Sequence, residues 1–131
     1  MNSFLDVAIE AAREAGTILL AEFDRPVKIS YKGEVDIVTQ ADKRSEQAIV
    51  SRLRTHFPKH AIVAEEGGGS ESESPFRWHV DPLDGTTNFA HGFPVFCVSI
   101  GLARKDEQIE VGVLYDPTRD EMFSAERGPL P

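Results

Sequence analysis

Residues 78–89 read Trp-His-Val-Asp-Pro-Leu-Asp-Gly-Thr-Thr-Asn-Phe. The stretch begins as an apolar strand, ends that strand in Asp81, bends at Pro82, and returns a second carboxylate, Asp84, beside the flexible Gly85. Two acids are thereby held close together. Like charges at such range disfavour joint ionisation unless a cation neutralises them, and hard divalent cations such as Mg²⁺ favour oxygen ligands. From Gly85, Thr86 and Thr87 a short helix can open with its leading amides facing an anion, closed by Gly92 and Pro94. A metal and a phosphate would meet at one turn. Asp-Pro and Asp-Gly also cap ordinary strand-to-helix turns. What favours chemistry is their combination after a strand, preceded by a separate acidic pair, Glu65 and Glu66, at the end of another apolar run.

Downstream of this stretch the texture is that of short strands over 95–103, 109–115 and 121–125. Polar turns at 104–108 and 116–120 join them, so the three are expected to be antiparallel, with a further strand over 77–81. Upstream, Phe4, Leu5, Ala8, Ala11, Ala12, Ala15, Ile18, Leu19 and Phe23 recur at helical spacing behind a Ser3–Asp6 capping box. A helix is expected over 4–23, stopped by Pro26. Residues 27–31 read as a short strand, 32–34 as a turn and 35–38 as a second extended piece. Thr39 and Asp42 form another capping-box pattern, opening a helix with the face Ala41, Ser45, Ala48, Ile49, Leu53 and Phe57 that ends before Pro58. A brief apolar run over 61–65 leads to a Gly, Ser and Glu stretch, 67–75, read as a mobile surface loop. Helices first and strands later predict an α+β fold, a layered sandwich of two long helices on a mostly antiparallel sheet. With no repeat and no long linker, residues 1–131 are expected to form a single domain.

The 131 residues, 40% of them apolar, suffice for one domain with a core. Lys and Arg number 14 against 22 Asp and Glu, a formal net charge of −8. That sign is wrong for neutralising a polyanionic backbone, so nucleic acid is not an expected partner. The single cysteine, Cys97, excludes an intrachain disulfide and, lying in an apolar run, reads as core. No apolar run approaches the roughly 20 residues of a membrane span. The acidic N-terminal stretch is unlike a secretory signal, and a cytoplasmic location without a membrane partner is expected. His56, His60, His79 and His91 share no metal-ligand spacing.

The run WHVDPLDGTTNF resembles the signature of the inositol monophosphatase family of Mg²⁺-dependent, lithium-sensitive phosphatases. The resemblance extends through GEVDIVTQAD, IVAEE and the strands to MFSAERG. It implies the N-terminal half of that family's fold and a phosphomonoesterase acting on a small polyol phosphate such as myo-inositol 1-phosphate, by in-line attack of water without a phosphoenzyme. Thr87-Asn88-Phe89 favours this branch over the nucleotide-bisphosphate and histidinol-phosphate branches; fructose-1,6-bisphosphatase or histidinol-phosphatase activity is the alternative within the family.

Carried over residue by residue, Glu65 resembles the metal-bridging glutamate, Asp81 the carboxylate shared by two metals, Asp84 a second-metal ligand, and Leu83 a donor through its backbone carbonyl. Asp42 and Thr86 resemble the pair that orients and deprotonates the nucleophilic water, although by itself Asp42 reads more readily as part of its capping box, and Glu65 reads equally as a solvated loop start. The Gly85 and Thr86 amides resemble the phosphate cradle. Glu66 stands just outside the ligands, and Lys32 resembles a loop lysine that in some bacterial members helps to retain a metal-site water. Mg²⁺ as cofactor and a homodimer follow from the same resemblance. Metal ions would lower the pKa of bound water and stabilise the departing alkoxide. Members of the family continue into a second half with a Trp-Asp-x-Ala-Ala-Gly motif whose Asp completes the second metal site. That motif is not among these residues, so the expectation is a truncated phosphatase or a non-catalytic cation-binding or dimerising fragment.

Overall fold

In a computed structural model that describes residues 3–24, 31–64 and 69–128, with backbone alone at 31–37 and 39, the first helix begins where its cap predicts. The Ser3 hydroxyl accepts the Asp6 amide at 3.1 Å and α1 runs Phe4–Phe23. Its buried stripe is Val7, Ala8, Ala11, Ala12, Ala15 and Leu19, small residues that let a second helix and a sheet approach closely.

That second helix, α2, spans Tyr31–His56 and is longer than expected. Of the strand expected over 27–31, only Tyr31 lies among the described residues. It is helical, as are the expected turn at 32–34 and the expected extended piece at 35–38. The buried stripe Ala41, Ser45, Ile49 and Leu53 continues backward at the same spacing to Val38, which packs against the core. No proline interrupts the chain between Pro26 and Pro58, and burial of that stripe outweighs the local β-preference of the valines. Thr39 and Asp42 are therefore interior to a helix and do not form a capping box, since no helix begins there. On the surface, Arg52 on α2 reaches Glu10 (3.1 Å) and Glu14 (2.8 Å) on α1, while Arg44 bonds the buried Glu22.

Five strands form one sheet in sequential order: β1 Ala61–Ala64, β2 Phe76–Asp84, β3 Cys97–Arg104, β4 Ile109–Asp116 and β5 Glu121–Glu126. β1 is parallel to β2 and the other pairs are antiparallel, as alternation and turn chemistry predict for the last three strands. Both long helices lie on one face, burying Trp78 and Val80 on β2, Val98, Ile100 and Leu102 on β3, and Val111, Val113 and Tyr115 on β4. Residues of the intervening set (Val63, His79, Ser99, Gly101, Gly112, Leu114, Phe123) point to the other face.

At the sheet's lower end Phe4, Phe57, Phe76 and Trp78 gather around His60, whose ring stacks on Phe57 at 5.0 Å and 10°. Trp78 Nε1 donates to His60 Nδ1 at 3.0 Å, and burial pushes the His60 pKa down. Residues 69–75, part of the stretch expected to be mobile, are tied down. Ser70 exchanges two 2.8 Å backbone bonds with Ile62, and the Ser72 and Ser74 hydroxyls accept the amides of Ser74 and Phe76.

Candidate functional site

In a regular strand, residues three apart face opposite sides, so Asp81 and Asp84 should be separated by the sheet. The register shows otherwise. Asp81 pairs with Ser99 and Asp84 with Cys97, three steps along β2 against two along β3. One residue is bulged out between the acids, which resets the alternation and brings both to the face that carries Ser99 and Cys97. Pro82 sits in the bulge, where its missing N–H breaks no ladder bond. Leu83 is buried, and its amide donates to Asp81 Oδ1 at 3.3 Å, fixing that carboxylate.

Immediately after Asp84, Gly85 takes φ +100° and caps the short helix α3, Thr86–Ala90. Only glycine fits here. The backbone is left-handed, and a Cβ would meet the Val95 carbonyl at 2.9 Å and Phe96 at 3.2 Å. No side chain bonds the leading amides of α3 at this cap, which leaves them available to an acceptor from outside the helix. Asn88 Nδ2 donates to the Val95 carbonyl at 2.9 Å, and Phe89 packs against Phe96 and the α1 residue Phe23 at 5.0–5.5 Å, so α3 is held from both sides.

Cys97 faces this corner and not the core, contrary to its reading as a core residue, because the buried positions of β3 are its neighbours Val98, Ile100 and Leu102. Its Sγ lies 4.0 Å from Asp84 Oδ2. Burial pushes the thiol pKa up, and the charges of Asp84, Asp81 and Asp116 push it further, so three carboxylates surround this point. Asp116 is the member that sequence reasoning missed, having read residues 116–120 only as a hairpin turn. Burial acts to raise its pKa, but hydrogen bonds from Arg119 and Thr118 outweigh this and hold it below the ordinary value. Arg119 reaches Asp116 Oδ2 at 2.9 Å, and the Thr118 hydroxyl lies 2.9 Å from Oδ1 and 3.1 Å from the Pro94 carbonyl. The turn is thus bound to the loop below α3.

The other candidates are distributed unevenly. Asp42 is a buried side chain in the middle of α2, the helix that packs on α3, while Thr86 is exposed at the start of α3. Lys32 belongs to the first turn of α2 and not to a loop before a strand; its side chain is outside the described residues. Glu65 and Glu66 also lie outside them. Among the described residues no group of three His, Cys, Asp or Glu side chains is arranged to hold a metal ion. Asp81 and Asp84 supply two carboxylates on one face, and an all-oxygen donor set of this kind, together with the Leu83 carbonyl, suits a hard divalent cation.

Two helices on one face of a mostly antiparallel sheet, with an acidic bulge leading into a glycine-capped helix, define an α+β architecture shared with known proteins. The sequence profile of the inositol monophosphatase family matches residues 1–129. Inositol monophosphatase 2 of Solanum lycopersicum is 48% identical over 130 residues, covering 95% of this chain and 49% of that protein. Nus factor SuhB of Pasteurella multocida is 46% identical over 131 residues, covering 98% and 49%. Among solved structures, the extragenic suppressor protein suhB from Bartonella henselae superposes with a TM-score of 0.82 at 41% identity, over 94% of this chain and 48% of that one. Inositol monophosphatase from Anabaena gives 0.78 at 44%, over 94% and 43%. The chain belongs to the inositol monophosphatase family, a family of phosphatases, and spans about half the length of the curated relatives it matches. No helix among the described residues is long and apolar enough to cross a membrane.

Proposed function

We propose that residues 1–131 form a single domain, the N-terminal phosphatase half of a Mg²⁺-dependent phosphomonoesterase that hydrolyses a small polyol phosphate such as myo-inositol 1-phosphate. The observation that carries this reading is the bulge that turns Asp81 and Asp84 to one face directly before the Gly85 cap. Asp81, Asp84, Glu65 and the Leu83 carbonyl would hold the cation, with Glu66 and Lys32 around them. When bound, Mg²⁺ supplies positive charge at the phosphoryl oxygens and lowers the pKa of water.

In this reading the chain's own groups do the rest. The Gly85 and Thr86 amides hold the phosphoryl oxygens, and the rigid packing of α3 keeps them aimed before substrate arrives. The Thr86 hydroxyl and the Asp42 carboxylate orient the attacking water and take its proton. The water oxygen forms the new P–O bond as the ester P–O bond breaks, and the polyol leaves with a proton, giving inorganic phosphate. A lithium-sensitive, cytoplasmic homodimer belongs to the same reading. Relatives named Nus factor SuhB match as extensively as those named inositol monophosphatase, and the Asp81–Gly85 corner is the reason to prefer catalysis.

The relatives named Nus factor SuhB support a second reading, a cation-binding or dimerising fragment without turnover. Phosphate release from myo-inositol 1-phosphate, alongside calorimetric Mg²⁺ binding, separates the two. The catalytic reading expects release that requires Mg²⁺, is inhibited by Li⁺ and disappears in Asp84→Ala. Mg²⁺ binding that Asp84→Ala weakens, without turnover, assigns the fragment; binding that Asp84→Ala leaves unchanged overturns the site.

A further inference from the structure

The segment 92–95 that follows α3 is weakly anchored by its own side chains. Phe93 and Val95 stand 57% and 41% exposed, and the backbone bonds of the segment stay local, from the Phe93 amide to the Asn88 carbonyl and from the Val95 amide to the Phe93 carbonyl, both at 2.8 Å. Pro94 has no N–H to give. The left-handed Gly85 nevertheless depends on this segment, because the Val95 carbonyl and Phe96 bound the space around it and Asn88 of α3 donates to that same carbonyl. What meets the segment from outside is the turn between β4 and β5. Pro117 is buried there beside Gly16 of α1, and Asp116 Oδ1 accepts the amides of Thr118 at 3.1 Å and Arg119 at 3.3 Å. Such an Asx turn makes a rigid post. At its tip the Thr118 hydroxyl lies 2.9 Å from Asp116 Oδ1 and 3.1 Å from the Pro94 carbonyl, with one proton to share between the two. Among the described residues no other donor reaches the Pro94 carbonyl.

We propose that Thr118 is a positioning residue for the turn at Gly85: its hydroxyl, held by Asp116, fixes the Pro94 carbonyl and so keeps segment 92–95, Gly85 and α3 in one arrangement before a ligand arrives. The value of this for catalysis rests on the phosphatase reading, in which the turn offers its amides to a phosphoryl group. Donors of that kind are effective only when their direction is set in advance, and groups behind them have to do the setting. Thr118 touches Pro94 and Asp116 and not the turn itself, so it acts through the segment between them. Valine at this position would keep the shape and lose the bridge, whereas serine would keep the bridge.

The test compares Thr118→Val and Thr118→Ser with the unmutated chain. Amide hydrogen exchange is followed at Phe89 and His91, whose N–H groups bond the Gly85 and Thr87 carbonyls at 3.0 and 3.2 Å, with α1 and β3 as the reference. Thr118→Val is expected to speed exchange at Phe89 and His91 about fivefold, the loss of one ordinary hydrogen bond, while α1 and β3 keep their rates and Thr118→Ser keeps the slow exchange. Unchanged rates in Thr118→Val, the same acceleration in α1 and β3, or equal acceleration in Thr118→Ser overturns the proposal. Inorganic phosphate is then titrated in the presence of Mg²⁺ and followed by the amide shifts of Gly85 and Thr86. Binding that Thr118→Val weakens about fivefold and Thr118→Ser preserves is expected, and equal affinity in all three chains overturns the positioning role. Phosphate that shifts neither amide in the unmutated chain counts against the phosphatase reading instead, and the exchange comparison alone then decides on Thr118.

Discussion

The two faces of the sheet carry glycine for opposite reasons. On the covered side, Gly16 of α1 lies so close to the Tyr115 ring that a Cβ would stand 2.4 Å from Cε2 and 3.1 Å from Pro117. Tyr115 has little freedom to move, because its hydroxyl donates to Asp120 at 2.7 Å and the Arg13 guanidinium sits over its ring at 5.6 Å. On the open side, Gly112 has empty space above it. The contrast teaches that a glycine's meaning is set by what surrounds its missing Cβ. The same substitution should therefore change sign across the thickness of the sheet.

The largest expected effect is on the covered face. Trp78 is fully buried and stacks on Phe57 at 5.7 Å, so Trp78→Ala should cost about 3–5 kcal/mol in urea unfolding. A loss under 1 kcal/mol would mean that the helices do not seal this face. Next, Gly16→Ala ought to destabilise by about 1–3 kcal/mol through overpacking, against the gain that Gly→Ala ordinarily brings in a helix interior. A higher melting temperature in that variant would break the comparison.

A third prediction concerns pH. His60 accepts the Trp78 N–H through Nδ1, which it can do only while Nδ1 is unprotonated, and burial lowers its pKa from the ordinary 6.5. The unfolded chain then binds the extra proton first. The stabilisation from neutral His60 is fully present above pH 6.5 and is lost as pH falls from there toward the lowered folded value. Trp78 is the sole tryptophan, so its emission should follow the same titration, and His60→Gln should flatten it. An unchanged profile in His60→Gln would dismiss the bond as the cause. The smallest effect is expected at Gly112→Ala, neutral or stabilising by up to about 1 kcal/mol in thermal unfolding of this chain. A clear loss there would mean that the open face is already in use.

Much of the fold is legible in the sequence because it is locally determined. Ser3 and Asp6 announce α1 four residues at a time, and period-two alternation announces β3, β4 and β5. The start of α2 is not legible, because Val35 and Val38 look extended by propensity and only the tertiary stripe through Val38 and Ala41 makes them helical. At the candidate site, the acids and the glycine-led helix are visible in residues 78–89. Their convergence is not, since the facing of Asp81 and Asp84 depends on a bulge defined by pairing with Ser99 and Cys97. An odd spacing of two acids around a proline is the signal that points to such a bulge. Asp116 reads as a turn residue for the same reason: its proximity to Cys97 arises from strand order, which no local pattern records. The capping reading of Asp42 fails because a cap is inferred locally, while this helix starts eight residues before Thr39.

The packing of α1 against β3, β4 and β5 sets an order of events during synthesis. Helix α1 can pair with α2 as soon as that helix is made, but its strand neighbours β3, β4 and β5 follow only later in the sequence. At ordinary elongation rates its alanine stripe waits on the order of ten seconds for them. During that interval α2 is the neighbour that can shelter the stripe, and a translational pause before residue 109 would lengthen the exposure.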